Sequence, residues 1–348
     1  MTESDFATRL LAWHRKHGRH DLPWQHPRTP YRVWLSEIML QQTQVQTVIP
    51  YFENFLKRFP DLPELAIAPA DAVMNAWAGL GYYSRARNLH KAAQHCMAHH
   101  AGRLPDDFDG LLALPGIGRS TAGAILSQAH GSRHAIVDGN VKRVLTRHFA
   151  IVGDAGSSAV DKRLWQLAES LLPKTHMADY SQAIMDLGAT VCTSRNPKCA
   201  SCPLAETCRG YATDMVLNFP GRKPAKSVPE RETYVVLARC GTGAILLEQR
   251  PDHGIWGGLY SLPEAEDLAA ATAIAQRLVT AKKPAPVALP PFKHTFSHFR
   301  LNIRPLLQDG CTQKSHIGDN ARMRWAMPDE LSGLGLPAPI QKLLKRLP

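Results

Sequence analysis

Four of the seven cysteines in this 348-residue chain lie in one short segment, residues 192–208, and they constrain its fold more than any other feature. The spacing is C-x6-C-x2-C-x5-C, and four thiolates can hold a zinc ion or an iron–sulfur cluster. Zinc ribbons usually repeat two C-x2-C turns, whereas one such turn with longer, unequal flanks suits a larger object. The spacing therefore favours an iron–sulfur cluster, and its expected ligands are Cys192, Cys199, Cys202 and Cys208.

Length and composition predict two globular domains and no membrane span. No stretch approaches about 18 uncharged apolar residues, and the opening MTESDFATRL lacks the apolar run of a signal peptide. We therefore expect a cytoplasmic protein, in which thiols stay reduced and the clustered cysteines do not form disulfides. The other three cysteines are scattered, so we expect them to pack in cores: Cys96, Cys240 and Cys311.

The net charge of +11, with histidines counted as neutral, indicates an anionic partner. Nucleic acid is the commonest polyanion that a basic protein of this kind attracts. The alternative is a basic but otherwise ordinary enzyme, and charge alone does not separate the two.

The residue pattern of the chain changes after the cysteines, and this change predicts two domains of different structural class. Residues 1–214 follow helical spacing, as in FATRLLAWHRKHG and DYSQAIMDLGATVC, although we expect Pro50 to break or kink its helix. Residues 215–230 are rich in proline and positive charge, as linkers are. Residues 231–348 combine two strands around a glycine turn (TYVVLARCGTGAILLEQR), a helix (DLAAATAIAQRLVTAK) and an alternating strand (HTFSHFRLNIRPLLQ). This half is predicted to be α+β.

Two motifs in the helical part indicate a phosphate-binding turn and a functional carboxylate. In LPGIGRSTAGAI, Gly116 and Gly118 let the backbone come close to a ligand, and the following helix offers free amides to a DNA phosphate. We expect Ile117 to anchor this turn in the core. Asp138, in HAIVDGN, precedes a helix and is either an ordinary N-cap or a carboxylate directed into a cleft.

The glycine turn, the aspartate and the cysteine spacing, in this order on a helical scaffold, resemble the helix–hairpin–helix DNA glycosylases of the endonuclease III superfamily. Within it, SEIMLQQTQV, GLGYYSRARNL and FSHF are similar to the adenine DNA glycosylases of the MutY type. The branch that also cleaves DNA has a lysine just after the hairpin, where this chain has Ser120. The resemblance implies an all-α glycosylase domain with a [4Fe–4S] cluster loop, followed by a Nudix-like α+β domain.

The same resemblance implies a substrate and a chemistry. The substrate is double-stranded DNA with adenine mispaired with 8-oxoguanine or guanine, and a monomer releases free adenine and leaves an abasic site. Glu37, a carboxyl group among apolar residues in VWLSEIML, is the expected acid, because burial would raise its pKa. Asp138 is expected to stabilise the sugar cation, as an ion or through a brief covalent bond, and Asn140 to orient the site.

Further roles follow from the family and from the need to flip adenine out of the duplex. The residues expected to wedge the duplex or contact DNA are Gln41, Gln42, Tyr82, Gly116, Gly118 and Ser120. Those expected to line the adenine pocket are Arg19, Trp24 and Leu40. Plainer alternatives are a solvated glutamine pair, core aromatics at the end of a helix and a first-turn serine.

The cluster itself is expected to fix a loop whose basic residues lie against the DNA backbone: Arg195, Lys198 and Arg209. The C-terminal GIWGGLYSLPE resembles Nudix domains, but the run of the R-E-x-x-E-E type that binds metal in Nudix hydrolases is missing. This half is therefore expected to read oxidised guanine through Phe296, Ser297 and His298, whose plainer alternative is ordinary strand structure.

Two other functions stay open on the sequence. A bifunctional glycosylase–lyase would keep the fold, and Ser120 argues against it. A non-catalytic DNA-binding module is the second, and it has no need of two carboxylates such as Glu37 and Asp138 in one cleft.

Overall fold

The chain forms two compact units in a computed structural model that describes residues 3–221, 228–278, 285–296, 298–311 and 322–346. The first unit contains Met1–Ile67 and Asn88–Pro224, and the second contains Ala68–Arg87 and Ala225–Pro348. The grouping of 68–87 with the C-terminal residues was not foreseen from composition. Hydrogen bonds explain it, because Gln249 donates to Asp71 at 3.3 Å.

Helices make up the first unit. In chain order they are α1 (Glu3–His17), α2 (Pro30–Leu40), α3 (Val45–Arg58), α4 (Leu62–Ile67), α6 (Ser84–His99), α7 (Phe108–Leu112), α8 (Arg119–His130), α9 (Gly139–His148), α10 (Ser158–Ser170), α11 (Met177–Asp186) and α12 (Arg209–Ala212). Of these, α6 begins in the second unit, which also holds α5 (Ala70–Ala76). Among the described residues, none of the helices has the length and apolar character needed to cross a membrane.

The apolar spacing of the first helix sets its buried face. Phe6 and Leu10 are fully buried in α1, and Trp13 packs against the same core from a partly exposed position. That core continues through α9 and α11, where Val141 and Ala183 are fully buried. The predicted helix is confirmed, and it places α1 beside the helices that carry the site.

The predicted break at Pro50 is wrong, because α3 runs through this residue. The chain leaves the helix earlier, at Gln41, and Gln42 has a left-handed φ of 57°. Proline removes only one backbone donor from the helix. The buried side chains of Val48, Phe52 and other residues of α3 hold the helix through packing, which outweighs that loss.

A mixed sheet with helices forms the second unit. Its strands are β1 (Glu230–Cys240), β2 (Ile245–Gln249), β3 (Tyr260–Ser261), β4 (Glu264–Ala265), β5 (Val287–Ala288), β6 (Phe292–Thr295), β7 (Arg300–Cys311) and β8 (Met323–Ala326). The order is β3-β2-β1-β7-β5, with β4 on β1, β6 on β7 and β8 on β2. Only the β1–β7 pair is parallel among the described strands. The helices are α13 (Leu268–Arg277) and α14 (Ala338–Leu344), with α5.

The alternating segment HTFSHFRLNIRPLLQ is two strands rather than the single strand predicted. Thr295 at the end of β6 pairs with Arg300 at the start of β7, so the chain reverses between the two strands, and Phe296, His298 and Phe299 lie at this hairpin tip. The amide of Phe296 donates to the carbonyl of Phe299 at 2.9 Å and closes the turn. Period-two alternation continued across the tip and concealed the reversal. The predicted hairpin of β1 and β2 is confirmed.

Candidate active site and cluster loop

Glu37 lies half-buried on α2, in the surroundings that its sequence predicts. Burial, and after it the nearby charge of Asp138, raises the pKa of its carboxyl group to about 8. Gln128 Nε2 donates to Glu37 Oε1 at 3.3 Å, and this contact opposes the rise. A carboxyl group with this pKa is mostly protonated near neutral pH and can act as an acid.

Asp138 caps α9, which confirms one of the two interpretations of its sequence, and it lies close enough to Glu37 for their charges to interact. Its Oδ1 accepts from the amide of Val141 at 2.7 Å, which caps α9. Its Oδ2 accepts from Asn140 Nδ2 at 3.2 Å. Burial raises the pKa of Asp138, while these donors and the charge of Arg143 act in the opposite direction. The donors at the helix N-terminus fix the carboxylate in place and oppose the rise, although the net direction of the pKa shift is upward.

The glycine turn predicted ahead of α8 is present, and one of its two positions requires glycine. Gly116 has a φ of 80°, and a Cβ there would lie 2.8 Å from the Cβ of Asn88, so only glycine fits. Gly118 is the N-cap of α8, and a Cβ there would meet nothing within 4 Å. Ile117 is buried, so its predicted role as an anchor is confirmed. Gly116 and Gly118 are exposed, so the backbone ahead of α8 is accessible.

Ser120, in the first turn of α8, connects this turn to the segment that carries Asp138. Its Oγ accepts from the amide of Val137 at 3.1 Å. Val137 immediately precedes Asp138, so the serine helps to set the position from which the carboxylate emerges. This hydrogen bond therefore links α8 and the glycine turn before it to the segment that carries Asp138.

A buried network surrounds Arg19, which was predicted to line the adenine pocket. Asp186, fully buried, accepts from Arg19 Nε at 2.8 Å and from the Arg19 amide at 2.7 Å. Gln182 Nε2 donates to the same carboxylate at 2.7 Å, while its Oε1 is buried and has no partner among the described residues. Trp24 is buried edge-to-face on Phe52, 5.4 Å between centroids. Leu40 is half-buried at the end of α2.

Among the predicted DNA-contacting residues, Gln41 and Gln42 end α2, whereas Tyr82 belongs to the second unit. Tyr82 is 44% exposed and has a left-handed φ of 49°. Buried Arg85 holds this loop: it donates to the carbonyl of Gly81 at 3.0 Å and lies 5.4 Å from the centroid of the Tyr82 ring. An exposed aromatic ring is thus fixed in a conformation that a non-glycine residue rarely adopts.

The four clustered cysteines line one cavity together with Arg147. Arg147 is 2% exposed, and its Nη1 donates to Cys192 Sγ at 3.4 Å and to the carbonyl of Thr193 at 2.6 Å. Among the described residues, no group of three or more His, Cys, Asp or Glu side chains is arranged to hold a single metal ion. Four thiols around one cavity are the donor set of a [4Fe–4S] cluster, and a buried guanidinium beside them offsets the charge of thiolates. These residues therefore fit the cluster.

Arg143 connects the cysteine loop to the segment that carries Asp138 and Asn140. Its Nη2 donates to Asn140 Oδ1 at 2.8 Å and to the carbonyl of Gly188 at 2.6 Å, and its Nε donates to the carbonyl of Cys192 at 2.7 Å. Gly188 lets the two segments touch, because a Cβ there would lie 2.6 Å from the Cβ of Asn140. The exposed basic residues of the loop are those predicted: Arg195, Lys198 and Arg209.

In the second unit, the hairpin tip forms an aromatic group. Phe296 stacks on buried Phe299 at 4.6 Å and meets His294 edge-to-face at 4.7 Å between centroids. His298 is exposed at the tip. Ser297, the third predicted residue for lesion recognition, lies outside the described residues. The tip therefore presents the ring of Phe296, which is stacked on Phe299, and the imidazole of His298.

Three protein families match consecutive parts of the chain. Residues 35–170 match the HhH-GPD superfamily of base excision DNA repair proteins, and residues 192–208 match the iron–sulfur binding domain of endonuclease III. Residues 234–346 match the NUDIX domain. The matches follow the order of the helical scaffold, the cysteine loop and the sheet.

Curated relatives cover the chain from end to end. The adenine DNA glycosylase of Buchnera aphidicola (subsp. Baizongia pistaciae) is 38% identical over 347 residues, which are 100% of this chain and 98% of the relative. The human adenine DNA glycosylase is 34% identical over 404 residues, covering 98% of this chain and 73% of the relative.

The chain belongs to the adenine DNA glycosylases.

As an adenine DNA glycosylase it shares the fold of solved repair enzymes. A thermostable thymine-DNA glycosylase superposes with a TM-score of 0.55 and 29% identity, over 61% of this chain and 97% of that one. An endonuclease III–DNA complex gives a TM-score of 0.52 with 23% identity, over 62% and 99%, and shows the shared fold. The predicted helix–hairpin–helix domain and Nudix-like domain are confirmed. The enzyme acts on DNA and carries an iron–sulfur cluster, as predicted.

The sequence interpretation of this adenine DNA glycosylase missed the residues that form hydrogen bonds with the predicted site residues and with the cysteine loop. Arg143 and Arg147 are four apart on α9, so they share a face toward the cysteine loop, and this spacing was a usable signal. Gln128 and Gln182 are polar residues within apolar helical patterns, which is also a readable sign of a buried contact. Asp186 has the same signal, since it follows Gln182 by four residues and accepts from it, although its other partner Arg19 is distant in sequence.

Proposed function

We propose that this adenine DNA glycosylase removes adenine paired with 8-oxoguanine or guanine by hydrolysis alone, as a monomer in the cytoplasm. One observation carries the chemistry: Glu37 and Asp138 are close enough to interact by charge, and burial together with this charge raises the pKa of Glu37 to about 8, whereas hydrogen bonds from Val141 and Asn140 oppose the effect of burial on Asp138. Two carboxyl groups in different protonation states supply the acid and the anion that cleavage of an N-glycosidic bond requires.

Each carboxyl group has a defined part. Glu37 donates its proton to a ring nitrogen of adenine, which makes the base a better leaving group as its bond to the sugar breaks. Asp138 faces the cation that forms on the sugar, and Asn140 keeps this carboxylate in place through a 3.2 Å hydrogen bond. Water then attacks the sugar and gives a proton to Glu37, which restores the acid.

The absence of a strand-cleavage step follows from Ser120. This residue stands where lyase-competent relatives of the fold carry a lysine, and its Oγ accepts from the Val137 amide. A serine hydroxyl forms no Schiff base with the opened sugar. The four cysteines would hold the cluster, and the basic residues of their loop would lie against DNA phosphates.

Recognition of the opposite base is assigned to the hairpin tip. Phe296 offers a ring for stacking, and His298 and Ser297 offer polar groups to the base that pairs with adenine. The missing metal-binding run argues against nucleotide hydrolysis by this unit. Gln41 and Gln42 would fill the space that the flipped adenine leaves, and Tyr82 would contact the DNA as a wedge.

The test is single-turnover excision on three duplexes, with adenine opposite 8-oxoguanine, guanine or thymine, at one salt concentration. We expect excision from the first two and not from the third. Borohydride is added in a parallel reaction, and we expect no trapped protein–DNA adduct. Excision of adenine opposite thymine at the same rate would refute the mispair assignment, and a trapped adduct would refute the monofunctional one.

A further inference from the structure

A glutamine is buried directly against the carboxyl group of Glu37. Gln128 is 5% exposed on α8, and its Nε2 donates to Glu37 Oε1 at 3.3 Å. Burying an amide without a partner costs free energy, so a core glutamine is placed where it has a polar group to bind. Here that group is the proposed acid of the reaction.

The helix that carries Gln128 is held firmly in register. Thr121, Ala124 and Gln128 follow a spacing of three and four residues, so they share one buried face of α8. The preceding residue, Ser127, is fully buried and hydrogen-bonds to Ser181 on α11 at 2.9 Å. This contact joins α8 to α11.

We propose that Gln128 is a positioning residue for Glu37, holding Oε1 so that Oε2 carries the proton that the reaction moves. This inference rests on the function proposed above. The amide N–H can donate to Oε1 whether Glu37 is a neutral acid or a carboxylate, because Oε1 is an acceptor in both forms. The contact therefore persists through the proton transfer.

The reaction then uses one oxygen of Glu37 for both proton transfers. The Oε2–H proton goes to a ring nitrogen of adenine, the bond from the base to the sugar breaks, and its electron pair leaves with adenine. Water attacks the sugar carbon, and its proton returns to Oε2. The sum is hydrolysis, and Glu37 ends as it began.

The charges around Glu37 leave Asp138 as its main electrostatic partner. Its helix, α2, packs against α3, α8 and the short turn Pro23–Gln25. Besides Arg32 and Tyr31 on α2 itself, the titratable groups of these elements are Tyr51, Glu53, Lys57, Arg58, Arg119 and His130. The charge that raises the pKa of Glu37 is that of Asp138, after burial, and Gln128 lowers it.

The experiment measures single-turnover excision of adenine opposite 8-oxoguanine on both sides of the pKa of Glu37, about 8. Gln128→Met keeps the length of the side chain and removes the donor. Because that donor favours the ionised form, we expect the alkaline limb of the profile to move up by roughly 0.5–1 pH unit. We also expect a severalfold lower rate on the plateau.

Two further variants sharpen the test. Gln128→Glu places a second carboxyl group beside Glu37, and like charges should move the limb further than methionine does. It also serves if Gln128→Met fails to fold. Ser127→Ala is the matched control on the same turn of α8, because it removes a buried hydrogen bond that does not involve Glu37. Its limb should stay in place, whatever happens to its rate.

The outcomes distinguish a failure of this inference from a failure of the proposed function on which it rests. A limb that stays or moves down in Gln128→Met and Gln128→Glu, while Glu37→Gln is inactive, would overturn the role of Gln128 alone. If Glu37→Gln kept the activity and the limb of the unaltered enzyme, Glu37 would not be the acid. The proposed chemistry and the role of Gln128 would then both be wrong.

Discussion

Arg143 donates a 2.8 Å hydrogen bond to the side chain of Asn140, which in turn donates to Asp138. The same guanidinium donates to the carbonyls of Gly188 and Cys192, so one side chain connects the segment that carries Asp138 to the cysteine loop. We predict that Arg143→Lys excises adenine about tenfold or more slowly, because an ammonium group cannot reproduce this fork of contacts. Single-turnover kinetics on the mispaired duplex measures it.

The control for this variant is Arg163→Lys, an exposed residue on α10. It should retain the unaltered rate and iron content. The iron content of Arg143→Lys must be measured as well, since lost iron would explain a slow enzyme by itself. A fully loaded Arg143→Lys enzyme with an unaltered rate would contradict the role given to this contact.

The rate of excision should depend on pH through both carboxyl groups. Glu37 must be protonated, and its pKa of about 8 predicts that the rate falls as the pH rises through that value. Asp138 must be ionised, and burial raises its pKa, so the acidic limb should lie above the ordinary range of an aspartate. Because the two groups interact, the limbs report the pair. A rate that stays constant well above pH 8 would argue against Glu37 as the acid.

The purified enzyme should be yellow-brown and contain about four irons per chain, with broad absorbance at the border of the visible and ultraviolet ranges. Cys199→Ser removes one thiolate and should lower the iron content, whereas Cys96→Ser, a buried cysteine outside the cluster loop, should not. Iron and zinc are measured on protein purified without oxygen. Stoichiometric zinc without iron would rule out the cluster.

The sequence predicted the scaffold well because its signals are local. Amphipathic spacing located α1, and the cysteine spacing located the cluster loop. Turns were harder: the break before α3 depends on Gln42 in a left-handed conformation, and the reversal in HTFSHFRLN falls inside an unbroken alternation. Tertiary packing decides both the break and the reversal, and it produces no periodic pattern in the sequence.

Parts of the candidate site could also be predicted, and for a different reason. Glu37 and Asp138 stand out through short motifs, whereas their partners come from other helices. The contact of Gln128 with Glu37 joins residues that are 91 positions apart. Arg19 and Asp186 are 167 apart. Such pairs follow from how helices pack, which a single sequence does not specify.

The hairpin tip should control the choice of the opposite base. We predict that His298→Ala reduces the ratio of excision rates for adenine opposite 8-oxoguanine and opposite guanine by roughly two- to tenfold, as expected for one lost polar contact. Gln276→Ala, an exposed residue on α13, is the control and should leave the ratio unchanged. An unaltered ratio in His298→Ala would remove this histidine from lesion recognition.

Release of free adenine by Glu37→Gln and Asp138→Asn, measured with binding to the same mispaired duplex, tests the central claim most directly. Both variants keep the shape of the side chain, so binding should persist. We predict that Glu37→Gln is slower by about a hundred- to ten-thousandfold, because an amide cannot protonate the base. Asp138→Asn should be slower by about a hundred- to thousandfold, because the sugar cation loses its anion. Normal adenine release by either variant, in a protein that binds the duplex normally, would contradict the assignment of acid and anion.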